Sequence, residues 1–370
     1  MSFQASTPPA GILRKSKTGL AVVALVLLFC GPGVIEWAGW ALYAILNTIV
    51  SLIFVGIIWR NRRSIAWRRL PAWLVLLLLM TAVSVASTAW VAPELTAGVT
   101  MWLTNYLLIS VIAFGIIATL PWSDFVRAFG TALRWVLALS LLLELALAIW
   151  AHGSLFSAEP IAGLTGSADL LGLLALVALG VFSAQLYDRL VWRSWGVVWI
   201  LLAVLTLVAA RTEATMVAFL VVAIAVGFAL WTRSVSPLSR RGIYIVAAVA
   251  VTLAGLALGL WAALFGDIAL ISNWLIPRLP GGLLITIAFL MLCLGIMWRS
   301  WFIAVDRPQW DLDDQRPYSA ASLIPLMTTA AVMAQGVGEF GSALEAGWAL
   351  VVILAVVVKT PQRITFPEVR

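Results

Sequence analysis

Apolar runs of about 20 residues, separated by short basic or Gly/Pro-containing breaks, repeat along most of this chain. An α-helix needs about 20 apolar residues to cross about 30 Å of hydrocarbon, and these runs have that length. Hydrophobic residues make up 63% of the 370 residues and charged residues only 11%, which is more apolar surface than one soluble domain can bury. The pattern predicts an all-α fold, a polytopic bundle of transmembrane helices.

Twelve segments have the length and composition of a membrane span. They are residues 19–35, 39–59, 71–91, 97–120, 130–150, 168–187, 195–210, 214–232, 242–265, 280–298, 319–337 and 345–359. Residues 1–18 are then expected to form an N-terminal arm, 19–359 the transmembrane domain and 360–370 a C-terminal tail. The first span, which Gly31-Pro32-Gly33 interrupts, is interpreted as a retained signal-anchor.

The basic residues fall on one side of these twelve spans. Of the 23 Lys and Arg residues, 21 lie on the side of the N-terminus, and only Arg211 and Arg278 lie on the other. Basic loops mark the cytoplasmic side of a membrane protein, so both termini are predicted to be cytoplasmic. The net charge of +7 follows from these loops beside an anionic leaflet and implies no nucleic-acid partner.

The sequence carries no signature of a metal or cofactor site. Cys30 and Cys293 both lie in apolar spans and are interpreted as buried small hydrophobes. His152, the only histidine, cannot build a metal site alone. It is either an interfacial polar residue or a catalytic base, since its charge changes near neutral pH. We therefore expect no metal and no cofactor.

Carboxylates predominate on the predicted outer side of the membrane. Those on it or near it are Glu36, Glu94, Glu159, Asp169, Glu213, Asp267, Glu339 and Glu345. Arg211 is predicted at a very tight turn between two helices, where it either binds a lipid-linked phosphate or forms a structural ion pair. We expect Glu339 and Glu345 to approach Arg211, because an outer-facing guanidinium among carboxylates should find a partner.

Glu144 is the most costly residue of the chain, since it lies inside a predicted span in the sequence Leu-Leu-Leu-Glu-Leu-Ala-Leu. One interpretation is a protonated carboxyl group that is hydrogen-bonded to a neighbouring helix. The other is a role in an active site or an ion path.

Four short motifs follow one another along most of the chain. They are Ser84, Trp90 and Pro93 in a turn between two spans, Gly163 to Gly172 leading into a helix, Ala210-Arg211-Thr212 opening a long apolar helix, and Gln335, Glu339 and Glu345-Ala346-Gly347-Trp348 near the C-terminus. Their order resembles the O-antigen ligase and polymerase family of bacterial membrane enzymes. The Trp-rich segment that begins at Trp298 resembles its actinobacterial branch. Asp169 and Ala210 stand where the family usually has Asn and Ser.

The resemblance implies a glycosyltransferase-C-like helical fold in the bacterial cytoplasmic (inner) membrane. It also implies glycosyl transfer from an undecaprenyl-diphosphate carrier to an acceptor hydroxyl, without a metal or a nucleotide sugar. The implied partners are the lipid-linked glycan, membrane lipids and other proteins of cell-envelope biogenesis. The implied substrate-binding residues are Arg211, Arg278, Asp169 and Glu345, and the candidate catalytic residues are His152, Asp267 and Glu339.

The connection 266–280 departs from the family pattern. Family members carry a long outer loop there with a His-Asn motif, whereas this chain has a short connection with Ser272-Asn273 and no histidine. We therefore expect weak binding of the lipid-linked glycan and poor transfer. The alternative functions are a catalytically silent scaffold or partner subunit in envelope biogenesis and, more remotely, a small-solute transporter with Glu144 in its ion path.

Overall fold

The computed structural model describes residues 10–62, 71–72, 74–75, 78–79, 93–150, 160–235, 239–240, 242–246, 282–305, 319–338 and 344–359. The secondary structure within these ranges is helical. The α-helices are α1 Ala10–Phe29, α2 Gly31–Arg60, α3 Pro93–Thr119, α4 Trp122–Trp150, α5 Ala168–Tyr187, α6 Arg193–Ala210, α7 Glu213–Ser234, α8 Gly282–Val305, α9 Ile324–Gly338 and α10 Leu344–Val357. Two 3-10 turns accompany them, Gly163–Thr165 before α5 (the Gly163 turn) and Ala320–Leu323 before α9 (the Ala320 turn).

Five of these helices, α2 and α4 to α7, are long and apolar enough to cross a membrane. Shorter apolar helical stretches lie in α1, α3, α8, α9 and α10. Many large apolar side chains are exposed on the outside of the bundle, among them Ile224 and Leu201, as expected where hydrocarbon is the solvent. The chain is therefore a helical membrane protein.

α5 is the central helix of the bundle. Of its most apolar stretch, 78% is buried inside the protein, against 22% to 33% for the other four long helices. It packs against α4, α6, α7 and α9. α5 therefore contacts protein on most of its circumference, and the two ends of the bundle are named from the residues at the two ends of α5.

The contacts of α5 define two ends of the molecule. The start of α5, the end of α6 and the start of α7 meet at the Arg211 end, where the Ile161 N–H donates to the Ala209 carbonyl oxygen at 3.4 Å. The end of α5, the start of α6 and the Ala320 turn meet at the Asp188 end, where Asp188 accepts hydrogen bonds from the Ala320 turn. The end of α7 lies there too, since Arg233 contacts Ser322.

The first two helices join without a loop, and the chain bends further along, inside α2. Helical hydrogen bonds continue from α1 into α2 through Cys30, whose N–H donates to Val26 and whose carbonyl oxygen accepts from Val34. At Gly39 the backbone takes φ 84° and ψ 157°, a combination that L side chains rarely adopt. The positive φ therefore divides α2 into a short first segment and a long second one, close to the predicted boundary between the first two spans.

The long segment of α2 runs parallel to α3. Asn47 donates from Nδ2 to the Asn105 Oδ1 at 2.9 Å, and Phe54 lies against Gly115 further along both helices. A buried amide pair of this kind joins helices in hydrocarbon, where a lone polar group would be costly. α3 is also joined to α10, since the Trp348 Nε1–H donates to the Ser110 Oγ at 2.9 Å.

α4 begins earlier than the sequence predicts. The predicted span starts at residue 130, whereas the helix starts at Trp122 and includes Arg127 and Arg134. Arg134 turns towards α5 and α6, where its Nη2 donates to the Gln185 Oε1 at 2.5 Å. Its guanidinium also lies 5.1 Å from the ring centroid of Phe182 and 5.8 Å from that of Trp199. These partners accommodate the charge of Arg134 inside the helix bundle.

Candidate functional site

Two of the predicted site residues are fully described, and both lie at the Arg211 end. They are Arg211 and Asp169. Glu345 belongs to the first turn of α10, but its side chain is not among those described. His152, Asp267, Arg278 and Glu339 lie outside the described residues. The expected approach of Glu339 and Glu345 to Arg211 thus stays a prediction.

Arg211 caps the C-terminus of α6 in a left-handed backbone conformation, with φ 45° and ψ 31°. Its N–H donates to the Leu207 carbonyl oxygen at 3.4 Å, and its side chain is exposed. Only Arg211 and Thr212 separate α6 from α7, which is the tight turn that the sequence predicts. A non-glycine residue here costs about 1–2 kcal/mol of backbone strain. Arg211 therefore occupies a backbone position at which glycine would be unstrained.

Thr212 begins α7 and fixes its start against α5. Its Oγ1 accepts a hydrogen bond from the Thr215 N–H at 3.3 Å and lies 2.6 Å from the Thr215 hydroxyl. Thr215 is fully buried and lies directly over Gly172 of α5, where any side chain would overlap it. The N-termini of α5 and α7 consequently lie side by side, and both direct their positive dipole ends towards the Arg211 end.

The start of α5 is joined to the end of α9. Ser167 caps α5 by accepting from the Leu170 N–H at 3.4 Å. The Asp169 carbonyl oxygen accepts a hydrogen bond from the Gln335 Nε2 on α9. Gln335 is fully buried, and no hydrogen-bond partner of its Oε1 is found in the part of the chain that the structure describes. Asp169 thus contributes a backbone contact here, while its half-buried carboxylate stands in the first turn of α5.

Glu144 holds the Gly163 turn. Its Oε1 accepts hydrogen bonds from the Gly163 N–H at 2.8 Å and the Ala162 N–H at 3.2 Å. One turn earlier on α4, the Ser140 Oγ accepts from the Leu164 N–H at 3.1 Å. The partner of the Glu144 carboxyl group is therefore the backbone of a connecting turn rather than a neighbouring helix. Both acceptors satisfy N–H groups that the apolar surroundings would otherwise leave unpaired.

Gly33 presses against the same turn from the other side. A Cβ on Gly33 would overlap the Leu164 carbonyl group, and a Cβ on Gly166 would lie 2.8 Å from the Cα of Gly33. Gly163 and Gly166 have φ 56° and 69°, so the turn needs glycine for its own backbone as well. Close packing of two backbones fixes the Gly163 turn between α2 and α4.

The described charges at the Arg211 end are mostly negative. Glu36, Glu144, Asp169 and Glu213 lie there with Arg211, and the Glu36 Oε2 would lie 3.1 Å from a Cβ on Gly166. Asp169 and Glu213 stand in the first turns of α5 and α7, where carboxylates offset the positive helix ends. Within the described residues, no group of three His, Cys, Asp or Glu side chains is placed to hold a metal ion.

Sequence reasoning missed the contacts that organise this end. The sequence shows the Gly31-Pro32-Gly33 break and the glycines of the 163–166 segment. It does not show that the two segments touch, because about 130 residues of chain separate them. Thr215 over Gly172 and Gln335 on Asp169 are likewise pairings of residues on different helices. The signal that could have suggested them is the set of small and polar residues inside otherwise apolar spans.

Comparison of the chain with known protein families, with curated proteins and with solved structures gives no significant match.

Proposed function

We propose that the chain crosses the bacterial cytoplasmic membrane twelve times, with both termini in the cytoplasm and the Arg211 end outside. The distribution of arginines over the described helices from residue 122 to 246 supports this orientation. Those at the Asp188 end or on its side of the bundle are Arg127, Arg134, Arg189, Arg193, Arg233 and Arg240. The Arg211 end holds Arg211 alone among them, so the positive-inside rule favours the Asp188 end for the cytoplasm.

Helix directions support the same arrangement. α2 and α3 run in parallel, as one further span between them requires. α7 and α8 both end at the Asp188 end, since Arg233 of α7 donates from Nε to the Ala304 carbonyl oxygen at 2.6 Å. Two helices that run in the same direction must have an odd number of spans between them. The predicted span 71–91 would supply the crossing between α2 and α3, and 242–265 the crossing between α7 and α8.

At its outer end the protein handles an undecaprenyl-diphosphate-linked glycan, in the manner of the O-antigen ligases that the sequence resembles. The observation that carries this proposal is the position of Arg211, exposed at a strained two-residue link beside the N-termini of α5 and α7. A guanidinium forms bidentate hydrogen bonds to phosphate oxygens, and helix N-termini add N–H donors. The membrane-anchored diphosphate would reach this end from the outer leaflet.

Glycosyl transfer at this position would proceed by attack of an acceptor hydroxyl on the anomeric carbon. The bond from that carbon to the diphosphate oxygen breaks, a base takes the hydroxyl proton, and the lipid diphosphate leaves. Arg211 and Arg278 would stabilise the leaving group, with Asp169 and Glu345 positioning the glycan. His152, Asp267 or Glu339 would serve as the base.

A catalytically silent binding subunit is the second candidate, and Glu144 favours it. This half-buried carboxylate holds the backbone of the Gly163 turn. Glu144 therefore has a structural role that does not require catalysis. The short 266–280 connection, which lacks a histidine, points the same way.

Binding of undecaprenyl-diphosphate glycan to the purified full-length chain tests the proposal. We expect Arg211→Ala to weaken binding about tenfold or more, since a charge-assisted hydrogen bond contributes about 1.5–3 kcal/mol. Arg211→Lys should restore part of the affinity, because a point charge replaces the bidentate group. Arg189→Ala is the matched control, since Arg189 has φ 54° and lies at the Asp188 end.

Equal losses in Arg211→Ala and Arg189→Ala, or no loss in either, would refute a diphosphate site at Arg211. A transfer assay with the same donor then separates the two candidates. Robust turnover supports the enzyme, and loss of that turnover in His152→Ala would identify the base. Binding without turnover supports the silent subunit.

A further inference from the structure

An apolar groove of about 700 Å³ runs between α5 and α7, with the Ala320 turn and α9 as its floor. Residues one helical turn apart line it on both walls, such as Leu176, Gly180 and Ala184 on α5 and Val222 and Val226 on α7. Its volume lies within the ordinary range for sites that hold small molecules. α9 packs against both α5 and α7, and the groove is the space that remains between α5 and α7 on the side away from α9.

Gly180 and Met327 set the depth of the groove. A Cβ on Gly180 would overlap the terminal methyl group of Met327, so the glycine allows this side chain to lie flat against α5. Ser183, Ala184 and Ala223 are further small residues of the walls. Small residues on both walls and a flexible floor suit an occupant without a fixed shape, such as an acyl chain.

The polarity of the groove changes along its length. Tyr187, Arg233 and Ser234 line it at the Asp188 end, whereas the stretch from Leu176 and Phe219 to that end is lined chiefly by apolar side chains. The Nε and Nη2 groups of Arg233 donate to the Ala304 carbonyl oxygen at 2.6 Å and the Ser322 Oγ at 2.8 Å. These bonds hold the guanidinium at the mouth of the groove.

The length of the groove matches one leaflet of a membrane. From Leu176 to Tyr187 the rise along α5 is about 16 Å, at 1.5 Å per residue. The hydrocarbon core of a bilayer is about 30 Å thick, so one leaflet spans about 15 Å. An amphipathic molecule that enters from the Asp188 end would therefore place its head group at Arg233 and its tail along the apolar walls.

We propose that this groove binds one acyl chain of an anionic phospholipid from the leaflet at the Asp188 end, with the head-group phosphate at Arg233. The cation at the mouth and the apolar depth complement the two parts of such a lipid. Nothing in this assignment depends on the proposed function at the Arg211 end. Under the topology proposed above, the leaflet concerned is the cytoplasmic one.

Spin-labelled lipids test the site directly. The full-length chain is reconstituted in phosphatidylcholine vesicles with a trace of phosphatidylglycerol or phosphatidylcholine that carries a label on its acyl chain. We expect the protein to immobilise phosphatidylglycerol about fivefold more strongly than phosphatidylcholine, as one basic group near a membrane surface provides. Arg233→Gln should abolish the preference, and Arg233→Lys should retain it. Ser322→Ala, which removes one hydrogen bond but keeps the charge, should retain it too.

Ala223→Phe should fill the groove and reduce the immobilised fraction of phosphatidylglycerol to that of phosphatidylcholine. Ile224→Phe is the matched control, since Ile224 is 71% exposed on the same helix and does not line the groove. Equal immobilisation of both lipids by the unmodified chain, or no effect of Ala223→Phe, would overturn the proposal. Absence of immobilised lipid in a dimeric protein would also overturn it, in favour of a second copy covering the groove.

Discussion

Gly33 shows how strongly a single residue constrains the Arg211 end. Its Cα lies so close to the Gly163 turn that a methyl group would overlap the Leu164 carbonyl. The obstacle is backbone rather than a mobile side chain, so neither neighbour can move without disturbing Glu144 and Ser140, which bind the same turn.

We expect Gly33→Ala to destabilise the protein by about 1–3 kcal/mol, the usual effect of overpacking a dense site. Thermal unfolding of the purified protein in detergent measures this. Gly56→Ala, in the same helix with open space around its Cα, is the control and should be neutral or slightly stabilising. If both substitutions had the same effect, the close contact between α2 and the turn would be wrong.

The two interpretations of Glu144 predict different results for substitution. If its oxygen serves as an acceptor for the Ala162 and Gly163 N–H groups, Glu144→Gln should keep much of the stability, whereas Glu144→Ala should lose about 1–3 kcal/mol. If instead Glu144 takes part in an active site or an ion path, glutamine and alanine should impair ligand binding or transport alike while stability stays unchanged. The unfolding midpoint and the binding assay, measured on both variants, decide between them.

At the scale of helices, Asp188 joins two elements that are far apart in the chain. It follows α5 directly, where a negative charge opposes the helix dipole, yet its carboxylate binds the start of the Ala320 turn. The Oδ1 accepts from the Ala320 N–H at 2.9 Å, and the Oδ2 accepts from the Ala321 N–H at 3.0 Å and the Ser319 hydroxyl at 2.8 Å. The carboxylate thereby caps the segment that leads into α9.

Asp188→Ala should destabilise the protein by about 1–3 kcal/mol, because it removes the acceptor of the Ala320 N–H and of the Ser319 hydroxyl. Asp188→Asn, which keeps one carbonyl oxygen, should lose less. Hydrogen exchange of the α9 amides, together with the unfolding midpoint, provides the measurement. An unchanged exchange rate in α9 for Asp188→Ala would show that the cap does not stabilise this helix.

The sequence predicts the long helices well and their contacts poorly. Predicted spans 168–187, 195–210 and 214–232 agree closely with α5, α6 and α7, because an uninterrupted apolar run flanked by polar residues has one reasonable interpretation. The sequence predicts that this span starts at residue 130, eight residues after α4 begins at Trp122. Arg134 lies inside both the predicted span and the helix. Its partners, Gln185, Phe182 and Trp199, come from other helices and cannot be inferred from local sequence.

At the scale of the whole molecule, the candidate site also has some features that local sequence predicts and others that it does not. The tight link at Arg211 follows from two apolar runs with almost nothing between them, and it was predictable. The Gly163 turn against Gly33, and Gln335 on Asp169, depend on how the bundle assembles. Side-chain periodicity within one span does not specify which neighbour a polar residue meets.

The most direct test of the proposed topology is the side of the membrane on which the Arg211 end lies. Glu213 and Ser234 are exposed residues at the two ends of α7, and the native Cys30 and Cys293 are buried. A thiol reagent that cannot cross membranes should label Glu213→Cys in intact cells, and Ser234→Cys only after permeabilisation. Labelling of Ser234→Cys alone in intact cells would invert the topology, and labelling of both would show that α7 does not span the membrane.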